Sequence, residues 1–390
     1  MKILQVISHY VPAYRFGGPL QVAHALAKAL VHRGHQVSVC ATHLADLTTD
    51  LDVPLDQPVD VDGVTVFYEA VPRWRKWGYS PALRRRVDLL MPDADFVLVH
   101  NHFQYAGWMG AARARRLGKP YIVFPHASLK RQSIRSSSGL AKRMYLWVFE
   151  RQNYQHAEGI AFNAEEELAD SLFADRGILV PNGIDPRDFE MLPSRGAVRS
   201  RDPAIGNRLL FLFLGRIDIT QKALDVILQA FANRVQAGSE AMLVLAGPSE
   251  GEDQIRLREM VTAFRLSERV FFTGLVSGEE KFQLLRDADV FLMPSRYEGL
   301  SIALLEAMAS GLPIVLSDRC GLHREIERKD CGLVVQPSVE SVTAAMANME
   351  DPSARAMYGR HARELALAHY TWPRIAEGLE TLMRARVTHD

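Results

Sequence analysis

Residues 295–315, SRYEGLSIALLEAMASGLPIV, set a loop, a helix and a strand end to end. Apolar side chains at Leu300, Ala303, Leu304, Ala307 and Met308 recur at helical spacing. Ser301 suits a helix cap, Gly311 a stop, and Pro313 forbids continuation. Ile314, Val315 and Leu316 then form a short buried strand. This predicts Glu298 in the loop before the helix and Glu306 about two turns inside it.

The same rhythm runs through the chain in both directions. Toward the C-terminal half, RLLFLFLG, AMLVLAG, RVFFTG, DVFLMPS and PIVLSD predict strands. The amphipathic ALDVILQAFANRV and DQIRLREMVTAFRL predict helices between them. In the N-terminal half KILQVIS, QVSVCAT, DFVLVHNH, PYIVFPH and GIAFN predict buried strands, with a helix over GGPLQVAHALAKALVHRGH that stops at Gly34. Strands alternating with helices predict an α/β fold of two doubly wound, Rossmann-like parallel sheets. The polar, proline-bearing stretch 185–207 interrupts both periods. The expected organisation is therefore a domain over 1–188, a linker over 189–206 and a second domain over 207–370. A last amphipathic helix over 371–390 packs back toward the first domain. Ligands of open α/β sheets sit beyond the carboxyl ends of the strands, so two such sheets are expected to face an interdomain cleft.

Bulk properties narrow the classes. The 390 residues exceed one ordinary core. With 46 basic and 46 acidic side chains, no global charge favours nucleic acid. Locally, no carboxylate occurs between Asp95 and Glu150, where Arg113, Arg115, Arg116, Lys119, Lys130, Arg131, Arg135, Lys142 and Arg143 all fall. RWRKWGY (73–79) and RRR (84–86) add cations with interleaved tryptophan, and this basic field reads either as ordinary solvated helix faces or as attraction to an anionic membrane surface or a polyprenyl-diphosphate acceptor. Cys40, Cys320 and Cys331 are odd in number and lack CxxC spacing, which argues against a disulfide framework or zinc and for a reducing compartment. MKILQVISHY has strand length and no cleavage pattern, and no apolar run reaches membrane-spanning length. A cytoplasmic protein is expected, peripheral at the inner face of the membrane if the basic field engages lipid.

The candidate chemistry follows strand ends. In LGRIDITQK (214–222), Arg216 lies just past a strand and Lys222 before a helix, two cations suited to a diphosphate. The backbone N–H groups of Gly299, Leu300 and Ser301 open the next helix, where anions are stabilised. With a helix starting near Leu300, the eight residues from Glu298 to Glu306 correspond to roughly 12 Å of axial separation. Paired glycosidase carboxyls need about 5–5.5 Å or about 6.5–9.5 Å. The spacing fits one extended ligand held at two points.

Taken together, Glu298-Gly-Leu-Ser with Glu306 (E-x7-E), LGRIDITQK, VPNGID (180–185) and FGGPLQVAHALAKAL (16–30) resemble the retaining glycosyltransferases of family GT4, which have the GT-B fold. The resemblance covers essentially the whole chain. It implies transfer of a hexose-type sugar from a UDP- or GDP-sugar to a glycan or polyprenyl-diphosphate-linked acceptor, in polysaccharide or glycolipid synthesis, with no metal or other cofactor. By motif matching it implies that Glu306 meets the ribose hydroxyls. Glu298, with the amides of Gly299, Leu300 and Ser301, meets the donor sugar and phosphate. Arg216 and Lys222 hold the diphosphate and stabilise its departure. Gly17 and Gly18 let the first loop close on the phosphates, and His126 of PHASL stands near the reacting centre. Thr273, Gly274 and Val276 meet the base. The chain departs from the family pattern at Ala223 and Ala127, where glycine is usual, and at Ser301, where glycine or proline is frequent. A sugar-nucleotide epimerase or hydrolase, a glycan phosphorylase and a non-catalytic binding module are the competing classes. A dinucleotide oxidoreductase would need G-x-G-x-x-G after the first strand, and YRFGGPLQV lacks it.

Overall fold

The computed structural model describes residues 1–101, 103–126, 144–171, 173–249 and 251–387. The chain divides into two compact units, one of residues 1–182 with 372–390 and one of residues 183–371.

The first unit is built on β1 (Lys2–His9), β2 (Gln36–Thr42), β3 (Pro58–Val61), β4 (Val64–Glu69), β5 (Phe96–His100), β6 (Tyr121–Phe124), β7 (Gly159–Phe162) and β8 (Gly177–Leu179). Their order is β3-β4-β2-β1-β5-β6-β7-β8, parallel except for the β3–β4 hairpin. Chain order reverses direction across the sheet between β1 and β5, so a crevice opens beyond their carboxyl ends. The predicted first helix is Gly18–His32, followed by Gly34 at φ 85°.

The second unit carries β9 (Leu210–Leu214), β10 (Met242–Ala246), β11 (Val270–Gly274), β12 (Val290–Met293), β13 (Ile314–Ser317) and β14 (Gly332–Val335). Their order β11-β10-β9-β12-β13-β14 is all parallel and has its switch point between β9 and β12. The strand β9 explains the double layer. Leu210, Leu212 and Leu214 enter one apolar core, and Phe211 and Phe213 enter another on the opposite face. A strand buried on both faces reads as a continuous apolar run, as LLFLFL does.

Two boundaries differ from expectation. The second unit begins at residue 183, because the Ile184 amide donates to the Tyr370 carbonyl at 2.9 Å. The stretch expected as a linker, 189–206, is a packed part of that unit. It forms the helix Ala197–Arg201, whose Val198 and Arg199 amides donate to the Asp287 carboxylate at 2.6 and 3.3 Å. Arg199 also pairs with Asp289 at 2.7 Å. Its order comes from hydrogen bonds to residues far along the chain, which leave no local period.

Candidate active site

In the second unit, the loops after β9 and β12 meet at the switch point. Arg216 leaves β9 and is held by Gln221 Oε1 at 3.0 Å and Asp218 at 3.3 Å. Asp218 caps the short helix Ile219–Lys222 by accepting from the Gln221 amide at 2.7 Å. Ala223 then takes a left-handed conformation, φ 55° and ψ 41°, which turns the chain into the helix Leu224–Gln236. A glycine adopts that conformation at no steric cost, which explains the family preference at this position.

Lys222 is thereby aimed at Glu298, and Nζ donates to Oε2. Both side chains are largely covered, with 12% and 15% of their surface exposed, so the attraction is little screened by water. The Glu298 loop is fixed by its amide on the Arg319 carbonyl at 3.2 Å and by the Gly321 amide on the Gly299 carbonyl at 3.2 Å. Arg296 ties the two loops together, its guanidinium on Asp225 at 2.6 Å and its amide on the Gln221 carbonyl at 2.9 Å.

The helix after this loop is Ile302–Ala309, with Ser301 at the N-cap making no side-chain cap bond and Leu300 buried. Glu306 consequently lies little more than one turn inside the helix, nearer its start than the sequence spacing predicts. Its Oε1 accepts from Lys281 at 2.6 Å. Burial raises the Glu306 carboxyl above its ordinary value, against the pull of Lys281. Sequence reasoning missed Lys281, because nothing in its helix Gly278–Asp287 distinguishes it from a solvated lysine. Thr273 and Gly274 end β11 at the sheet edge, with β10 between them and β9. Gly274 has φ 72° and accepts the Gly247 amide at 2.8 Å, while Val276 is buried beside them.

In the first unit, histidines stand at the ends of three neighbouring strands: His9 on β1, His100 on β5 and His126 just after β6. A cavity of about 340 Å³ opens there, lined by His9, Phe16, Lys76, Asn101, Gln104 and His126 among others. Asn101, Phe103 and His126 hold φ of 62°, 63° and 50°, a conformation costly to side chains other than glycine and concentrated at functional sites. His9 stacks on Phe16 with ring centroids 3.4 Å apart and meets Gln104 Nε2 at 3.2 Å. His126 Nε2 lies 3.1 Å from His100 Nδ1. Burial pushes the His9 and His126 imidazoles down to about 4 and lowers His100 as well, so all three are neutral near pH 7. Gly17, at φ 87°, and Gly18, which opens the first helix, sit between the lining residues Phe16 and Pro19. The histidine at each strand end was a legible signal in VISH, LVH and FPH, yet only His126 was singled out.

The basic field of the first half is partly spent on structure. Arg113 pairs with Asp88 at 2.5 Å, and Lys119 donates to the Pro92 and Ala94 carbonyls at 2.6 and 2.9 Å. Lys130, Arg131, Arg135, Lys142 and Arg143 lie outside the described residues. Among the described residues no helix is long and apolar enough to cross a membrane.

Each unit thus presents a strand-end loop system on a doubly wound parallel sheet, the place where ligands of such sheets sit, and in the second unit these loops pair cations with carboxylates. Residues 17–183 match the glycosyl transferase 4-like domain, and residues 197–365 match the glycosyl transferases group 1. The chain belongs to the GT4 glycosyltransferases, enzymes of the GT-B fold. Phosphatidyl-myo-inositol mannosyltransferase of Mycobacterium leprae is 27% identical to it, over 92% of this chain and 91% of that protein. Among solved structures, sucrose-phosphate synthase from Thermosynechococcus elongatus is similar at a TM-score of 0.78 and 21% identity, covering 100% of both chains. Anabaena HepE in complex with UDP is similar at 0.76 and 19% identity, over 99% of this chain and 100% of that one.

Proposed function

We propose that the protein transfers a hexose from a UDP- or GDP-sugar to a glycan or lipid-linked acceptor, with retention of configuration and without a metal. The observation that carries this reading is the Lys222–Glu298 pair with Arg216 at the switch point of the second unit. Both cations are already oriented by carboxylates, Lys222 largely shielded from water and Arg216 more open to it, so they exchange carboxylate partners for phosphate oxygens at little reorganisation cost. As the bond from the anomeric carbon to the phosphate oxygen breaks, that oxygen gains negative charge. Arg216 and Lys222 stabilise it. The acceptor hydroxyl attacks from the same face, and its proton passes to a phosphate oxygen of the leaving diphosphate. Glu298 then holds the sugar and helix-start phosphate with the amides of Gly299, Leu300 and Ser301, and Glu306 accepts the ribose hydroxyls. Thr273, Gly274 and Val276 flank the base. In the first unit, the cavity around His126, entered past Gly17 and Gly18, receives sugar hydroxyls.

The mycobacterial relative named for phosphatidyl-myo-inositol and the Anabaena structure with UDP support a lipid-type acceptor and a uridine donor respectively. The exposed Met144, Trp147 and Val148 support association with an anionic membrane surface. A thermal-shift screen against UDP-, GDP-, ADP- and dTDP-sugars tests the donor, followed by transfer assays in excess EDTA. Stabilisation by one nucleotide and EDTA-resistant turnover are expected. Indifference to all four, or activity only on adding magnesium or manganese, overturns the reading. Sedimentation with anionic vesicles at low salt tests the membrane contact, which is withdrawn if no protein pellets.

A further inference from the structure

We infer that His100 is a positioning residue that holds His126 in its Nδ1–H tautomer, making His126 a hydrogen-bond donor to sugar and not a base. This rests on the placement of His126 in the sugar cavity.

The inference follows from counting protons on two rings. His100 Nδ1 and His126 Nε2 are 3.1 Å apart, so one nitrogen carries the proton and the other accepts it. Both rings are neutral near pH 7, pushed down by burial, so a single proton serves this contact. His100 is fully buried and its Nε2 has no partner among the described residues. If His126 donated, His100 would carry its own proton on Nε2, leaving a buried N–H with no acceptor among the described residues. Orphaned buried N–H groups are rarer than under-used acceptors. The proton therefore lies on His100 Nδ1 and is donated to His126 Nε2. His126 then carries its remaining proton on Nδ1, the last polar atom its ring can offer the cavity. Its Nε2 lone pair is occupied, so it cannot take the acceptor's proton, in keeping with transfer of that proton to the departing phosphate. The stacking of His100 on Phe124, with centroids 4.7 Å apart and planes 19° apart, fixes the ring that sets this direction.

The test uses the full chain labelled with 15N in its imidazoles. Long-range proton–nitrogen correlation near pH 7.5 reads the tautomer, and the His126→Gln variant assigns the signals. A protonated Nδ1 and an unprotonated Nε2 are expected at His126, although free imidazole side chains in water favour the Nε2–H form. His100→Asn keeps an N–H near the position of Nδ1 and should retain both the pattern and the turnover. His100→Leu should lose the pattern and lower kcat about tenfold with donor KM unchanged, the worth of one misdirected hydrogen bond. A protonated Nε2 at His126 in the unsubstituted protein overturns the inference, as does wild-type kcat in folded His100→Leu. Unimpaired transfer by His126→Ala, with the tautomer as expected, would instead count against the placement of His126 at the sugar.

Discussion

The second-unit site is an arrangement of paired opposite charges. Lys222 faces Glu298 and Lys281 faces Glu306, each pair mostly withdrawn from water. Removing one partner strands the other, so substitutions there act on binding and on charge balance together. Lys222→Ala should lower kcat by about 10²–10³, the cost of deleting one preorganised stabiliser of developing charge. A single-turnover assay at saturating donor reads this directly, and a loss confined to KM would contradict it. Glu306→Ala should act mainly on affinity, raising the donor Kd about tenfold as measured by calorimetry. Because burial raises the Glu306 carboxyl, the part of donor affinity that needs its carboxylate should fade as pH drops through a higher range than an ordinary glutamate would give.

Secondary-structure elements decide how close these side chains come. The helix Tyr105–Arg116 lies against the end of β5 because Gly107 has no side chain, and a Cβ there would stand 1.8 Å from the Asn101 carbonyl oxygen. Asn101 lines the first-unit cavity in a left-handed conformation. Gly107→Ala should therefore destabilise the fold by more than about 2 kcal/mol and impair transfer, read by urea unfolding and by turnover at low temperature.

The π-helix Leu146–Glu150 buries Glu150, whose carboxyl is pushed up to about 7 by desolvation despite a 3.1 Å bond from Asn153 Nδ2. The folded state thus holds this proton more tightly than the unfolded chain does. Its contribution is fully present below the unfolded glutamate pKa and is eroded as pH rises through about 7. Glu150→Gln should gain about 3 kcal/mol over wild type at pH 8.5 and little at pH 4. Parallel urea-stability curves for the two proteins across that range would refute the assignment.

For the molecule as a whole, the last helix, Trp372–Val387, belongs to the unit that the first residues build. It buries Trp372, Ile375, Leu379 and Met383, and Arg33 pairs with Glu380 at 2.5 Å. Arg33 and Arg384 hold the Glu380 carboxyl down to about 2. All five tryptophans, at 74, 77, 108, 147 and 372, fall in the first unit, so their fluorescence reports on that unit alone. Leu379→Ala should lower first-unit stability by about 2–5 kcal/mol in urea, seen in tryptophan emission, while leaving nucleotide affinity unchanged. Equal midpoints for variant and wild type would deny the helix its anchoring role.

Periodicity carried much of this protein, because hydrophobic repeats record which face of each element is buried and LLFLFL or VLV leaves little choice of strand. The short motifs also told which loops bear charge: Arg216, Lys222 and Glu298 do lie on neighbouring strand-end loops. Three features drew their order or their role from partners far along the chain. The stretch 189–206 is ordered by Asp287 and Asp289, some ninety positions away. Lys281 gains meaning only opposite Glu306, and His100 only beside His126. Pairings of this kind depend on strand order, and strand order is settled by how whole faces pack, a cooperative choice that no short window of residues encodes.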